Sequence, residues 1–208
     1  MPLKNNYILP GTYGLVVCGG NSSRMCTDKS LLKYYEKSQR YHVYEMLQPF
    51  CEKVFISCNE KQANTIEAGY PFLTDHPAYN NTGPMAALLT AFSQFPEKNI
   101  LLIGCDYPFL TATDLQHFSA YCKDAAAGFY NEKEELYEPL LAWYPYQSFS
   151  KLKKMYGDKE YSLQYFLRNT DAAKFNPANK SSMTSIDTKE DFTKAHSVIN
   201  PSYLKNFF

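Results

Sequence analysis

Apolar and polar positions fall into blocks along this chain, and the blocks alternate between two periods. Residues 13–19 (YGLVVCG) form a continuous apolar run closed by two glycines, which predicts a strand buried on both faces. QRYHVYEMLQPFC has helical spacing, with Tyr41, Tyr44 and Leu47 on one face and Pro49 near its end. KVFISC, residues 53–58, predicts a second strand; KQANTIEAG predicts a short helix stopped by Gly69, and FLTD a short third strand. TGPMAALLTAFSQF follows, with Pro84 suited to a first helical turn and Ala, Leu and Met after it. Residues 99–106 (NILLIGCD) are the clearest strand, and TATDLQHFSAYC a helix with Thr111 or Thr113 as its cap. This alternation predicts an α/β fold: an open, mostly parallel, Rossmann-like sheet between helices on both faces, a three-layer α/β/α arrangement.

The rhythm changes after about residue 125. AAAGFYN, LYEPLLAWYP and SSMTSID read as strands, and YQSFSKLKKMYG and SLQYFLRN as helices. TKEDFTKAHSV reads as a last helix, with Thr188 as cap and Asp191 three residues on in the manner of a capping box. No repeat or low-complexity linker interrupts the chain, so residues 1–198 are expected to form one domain. Residues 199–208 are expected to be a C-terminal tail, either docked or loose.

Composition narrows the class. At 208 residues the chain can bury a sizeable core. Its 21 Lys plus Arg balance 21 Asp plus Glu, so no charge excess points to nucleic acid or an anionic membrane. The local cluster Lys151, Lys153 and Lys154 reads as a solvated helix face. The six cysteines lack the spacing of a zinc ribbon or redox motif; Cys18, Cys58 and Cys105, at the ends of apolar runs, read as small hydrophobes in a reducing compartment. With no signal-peptide core and no run long enough to span a bilayer, the expectation is a soluble cytoplasmic protein.

In a doubly wound sheet, ligands bind outside the carboxyl ends of the strands. Three features fall there: Gly19 and Gly20 followed by Asn21, Ser22, Ser23, Arg24 and Lys29; Asp75 with the NNTGP loop; and Asp106. The glycines let backbone N–H groups approach a ligand, Arg24 can fork onto phosphate oxygens, and Lys29 supplies a point charge. The loop is neither a Walker A sequence nor a dinucleotide fingerprint, and taken alone it also fits a plain turn with polar flanks. Asp106, after five residues of mostly apolar strand, fits either a turn before Pro108 or a carboxylate holding Mg²⁺ beside substrate phosphates.

The stretch LVVCGGNSSRMCTDKSLL resembles the signature loop of the molybdenum cofactor guanylyltransferases, the MobA-type nucleotidyltransferases, written L-A-G-G-x-S-S-R-M-G-x-D-K-x-L-L. TDHPAYNNTGPMAAL, GCDYPFL, YEPLLAWYP, SLQYFL and SIDTKEDF resemble later family motifs in the same order, so the likeness spans residues 15–192. It implies a nucleotide-diphospho-sugar transferase-like fold and an enzyme that transfers GMP from GTP to the phosphate of molybdopterin, giving molybdopterin guanine dinucleotide and pyrophosphate. By motif position, Val17, Cys18, Gly19 and Gly20 would meet the nucleotide through their backbone, and Lys29 its phosphates. Ser57, in the place of a nucleotide-contacting Asn, with Asn59 nearby, and Asp75 would complete the nucleotide side. Asp106 would bind both nucleotide and Mg²⁺, with Arg24, Lys29 and Asp106 as the catalytic set; Ser185 and Asp187 would lie near the pterin. Molybdoenzyme chaperones would be the further partners.

Cys18, Cys26 and Ala87 depart from the family's small residues, and Ser57 and Asp187 from its asparagines. A CTP-using molybdopterin cytidylyltransferase or a sugar-phosphate nucleotidylyltransferase shares the same chemistry, and a non-catalytic cofactor-binding module shares the same fold.

Overall fold

The computed structural model describes residues 8–18 and 28–201. Seven strands form one sheet in the order β3-β2-β1-β4-β6-β5-β7. They are β1 (Thr12–Val17), β2 (Lys53–Cys58), β3 (Phe72–Thr74), β4 (Asn99–Gly104), β5 (Ala127–Asn131), β6 (Leu136–Tyr144) and β7 (Ala173–Phe175). All run the same way except β6, which pairs antiparallel with both β4 and β5. The mostly parallel sheet foreseen from the alternation is therefore present.

Helices cover both faces. On one lie α1 (Gln39–Leu47) and α4 (Ala112–Ser119), whose Tyr41, Val43, Leu47, Leu115 and Phe118 pack on Val16, Ile56, Leu101 and Ile103. On the other lie α3 (Pro84–Gln94), α5 (Ser148–Gly157) and α6 (Leu163–Arg168), packed on Leu15, Val17, Ile100 and Leu102. Side chains of successive strand residues point to opposite faces. A run such as Leu15-Val16-Val17 is apolar throughout because both faces are covered.

The caps follow local chemistry. Thr111 accepts from Asp114 N in a full capping box, so it, and not Thr113, starts α4. Thr188 and Asp191 form the same box at α7 (Lys189–Ile199). Two predicted elements differ, and one strand had no prediction. The helix expected to end at Gly69 stops much earlier, as the four-residue α2 (Glu60–Ala63), because Thr65 Oγ1 turns back onto Gln62 O and the chain leaves the helical path. SSMTSID is not a strand: Lys180–Met183 is a 3-10 turn capped by Asn179, and Ser182 Oγ is drawn to Asp114 Oδ2. The three-residue β7, too short to announce itself, closes the sheet edge instead.

Candidate functional site

The carboxyl ends of β1, β2, β3 and β4 open into a cleft of about 570 Å³. Parallel strands in register bring their ends level: Val17 pairs with Ser57 on one side and Gly104 on the other. The next residues along are Cys18, Cys58 and Cys105, three thiols abreast, all buried and all lining the cleft. Cys18 and Cys105 Sγ lie 4.0 Å apart. Their reading as small hydrophobes holds for burial, but their meeting in space had no signal in sequence spacing. The described cysteines are free thiols.

Around this floor stand the polar groups. Val17, Cys18, Lys29, Ser57, Asn59, Asp75 and Asp106, all expected at the nucleotide side, line the cleft together. Arg24, Gly19 and Gly20, with Asn21, Ser22, Ser23 and Cys26, lie outside the described residues. Ser57 Oγ points to Asp75 Oδ1 at 3.5 Å, and burial pushes the Asp75 carboxyl above its ordinary pKa despite that contact. Asn59 is engaged in structure: its side chain accepts from Gln62 N and caps α2. Gln62 in turn donates to Asp28 Oδ2 at 2.9 Å, tying α2 to the segment that carries Lys29. Gln62 carries no charge and sits in a polar stretch, so nothing in the local sequence marks it.

The NNTGP loop forms the opposite wall. Gly83 has φ 60 and ψ −142, a conformation open only to glycine, and it hands the chain to Pro84 at the first turn of α3. Asn81 also has positive φ and lines the cleft, with Ala86 and Ala87 beneath.

Asp106 stands just past β4, its carboxylate folded back over Gly104. A Cβ at residue 104 would lie 2.5 Å from Asp106 Oδ1 and 3.1 Å from Leu140 Cβ, so the bare Cα makes room for this carboxylate. Burial pushes the Asp106 pKa up to about 6; its own backbone N–H and Lys29 pull it back, and the charge of Asp187 pushes it further. A neighbour missed in the sequence is Glu138, whose Oε2 accepts from Tyr107 Oη at 2.9 Å. Burial and the facing Asp106 raise its pKa as well, the Tyr107 hydrogen bond opposing them.

Ser185 and Asp187, expected at the pterin side, reach the same centre. Ile186 N donates to Asp106 O at 2.9 Å, Ser185 Oγ to Asp187 Oδ2 at 3.2 Å, and Lys29 Nζ to Asp187 Oδ1 at 2.6 Å. Among the described residues no group of three acidic, His or Cys side chains is placed to cage a metal. Among these residues that donor set does not make a closed structural site, which takes about four protein ligands. It fits a hard cation that takes one carboxylate and fills its sphere with water and substrate phosphates. No helix among the described residues is long and apolar enough to cross a membrane.

Comparison with known proteins places this geometry. The chain is 29% identical over 183 residues to the molybdenum cofactor biosynthesis bifunctional protein of Synechocystis, covering 86% of this chain and 52% of that protein. It is 31% identical over 107 residues to a molybdenum cofactor guanylyltransferase of Shewanella loihica, covering 51% of this chain and 54% of the relative. The chain thus spans about half the length of the curated relatives it matches. In fold it is similar to the crystal structure of molybdopterin-guanine dinucleotide biosynthesis protein A from Archaeoglobus fulgidus, with TM-score 0.74 and 20% identity. That match covers 91% of this chain and 100% of the other. The family model described as the MobA-like NTP transferase domain matches residues 14–173, and with the cleft at the ends of β1 to β4 this makes the chain a member of the MobA-like NTP transferase domain family.

Proposed function

We propose that this protein is a nucleotidyltransferase that moves GMP from GTP to the phosphate of molybdopterin, releasing pyrophosphate and forming molybdopterin guanine dinucleotide. The observation that carries the reading is the meeting of Lys29, Asp75 and Asp106 around one cleft at the strand ends. Family membership and the likeness to guanylyltransferases support GTP and molybdopterin as the choice of substrates.

The acceptor phosphate is already an anion, so attack on the α-phosphorus of GTP requires no general base. The protein's task is to hold two anionic groups in line and to offset the charge that builds as pyrophosphate leaves. Lys29 would meet the phosphates, with Arg24, five positions earlier in the sequence, as the second cation. Val17 and Cys18 would offer backbone contacts, and Ser57 and Asp75 would face the nucleoside. Asp106 would hold Mg²⁺, which when bound neutralises charge on the phosphate oxygens. Ser185 and Asp187 would stand toward the acceptor.

Pyrophosphate release from GTP, CTP and ATP, each with Mg²⁺ and molybdopterin, tests the reading. GTP should be turned over, and Lys29→Ala or Asp106→Asn should lose about 10²–10³ in rate with the fold intact. Preference for CTP would reassign the protein as a cytidylyltransferase. Near-normal turnover by both variants, or no release from any nucleotide, would overturn the proposal.

A further inference from the structure

Lys29 faces the cleft, yet its ammonium already holds a carboxylate. Asp187 Oδ1 lies 2.6 Å from Lys29 Nζ across 158 positions of sequence. The lysine side chain is largely buried, at 18% exposed, and that of Asp187 is 53% exposed. Asp187 is held where it is from both sides. Ser185 Oγ donates to its second oxygen, and Ile186 N is bonded to Asp106 O, which fixes the strap 185–187 against the loop after β4. Thr188 then caps α7, so the strap has little slack at its far end.

A full negative charge at hydrogen-bond distance offsets most of the attraction Lys29 can exert on an incoming phosphate. We infer that Asp187 is a positioning residue acting through Lys29. It holds the ammonium against the cleft wall, competes with the triphosphate for it, and is displaced as the nucleotide loads. This rests on the reading of the cleft as a nucleoside triphosphate site.

The test is calorimetric titration of GTP with Mg²⁺ into wild-type protein, Asp187→Asn, Asp187→Glu, Lys29→Ala, and the double variant carrying Lys29→Ala with Asp187→Asn. Asp187→Asn should bind GTP about three- to tenfold more tightly, because a partly exposed ion pair no longer has to be broken. Asp187→Glu, which keeps the charge, should return toward wild-type affinity. In the Lys29→Ala background the change at residue 187 should have no effect, since the cycle isolates what passes through the lysine. Unchanged or weaker GTP binding by Asp187→Asn, or a gain that persists without Lys29, overturns the inference while leaving the triphosphate site in place. Failure of wild-type protein to bind GTP, CTP or ATP overturns both.

Discussion

The two halves of the sheet handle their polar groups in opposite ways. At the β6-β5-β7 end, polar atoms of large side chains are spent inside the fold. Tyr137 Oη donates to Ala172 O, Tyr144 Oη to Pro139 O and Trp143 Nε1 to Lys123 O. Beside them the rings of Phe118, Phe129 and Phe175 pack edge and tilt, with centroids 4.8 to 5.4 Å apart. At the β3-β2-β1-β4 end the chain at or just past the strand ends carries Cys58, Asp75, Cys18 and Asp106, and both carboxyls are driven upward in pKa by the burial they endure. One half is built to be satisfied, Glu138 beside Asp106 excepted. The other keeps costly groups where a ligand can reach them, the pattern expected of a site rather than of a core.

Substitutions in the two halves should therefore fail differently. The largest effect belongs to the aromatic half: Phe129→Ala, at a fully buried ring, should cost about 3–5 kcal/mol in denaturant unfolding. GTP affinity of the folded fraction should stay within about twofold of wild type, since cleft and ring cluster share no side chain. A comparable loss of affinity would show that the halves are coupled.

Asp106→Asn should do the reverse, stabilising the fold while lowering transfer by about 10²–10³. The folded-state pKa of about 6 lies above the ordinary 3.8, so the folded protein binds the extra proton between those values. Stability from this group is full below about pH 4, falls as pH rises toward 6, and stays low above it. The Asn variant lacks that loss, so at pH 7.5 it should gain about 1–3 kcal/mol over wild type and at pH 4 nothing. Urea unfolding at both pH values reads the difference; equal gains at both would place the cause elsewhere.

The smallest of the three is Gly104→Ala. Its methyl carbon would sit 2.5 Å from Asp106 Oδ1, so the carboxylate must swing away. Transfer should drop about tenfold or more through misplacement alone, with wild-type GTP affinity nearly kept. Steady-state turnover alongside titration separates the two quantities.

Much of this division was readable in the chain itself. Continuous apolar runs ending in Asp106 or Cys58 announce strands buried on both faces with a polar residue at the rim, and Pro84, Thr111 and Thr188 mark helix starts by local stereochemistry. What stayed hidden depends on distant partners. SSMTSID has the alternation of a strand, but Asp114, 68 positions earlier, claims Ser182 and bends the segment into a turn. The Lys29–Asp187 pair, the Tyr107–Glu138 hydrogen bond and the contact of two cysteines 87 positions apart are products of strand order. No window of neighbouring residues contains them.

The row of sulfurs under the cleft has one more consequence. Thiols are feeble hydrogen-bond donors and acceptors, so the side chains of Cys18, Cys58 and Cys105 give an anion almost nothing to rest on. Whatever occupies this hollow must be gripped from its walls, and selectivity among visitors is decided by the rim, with the base contributing shape and little else.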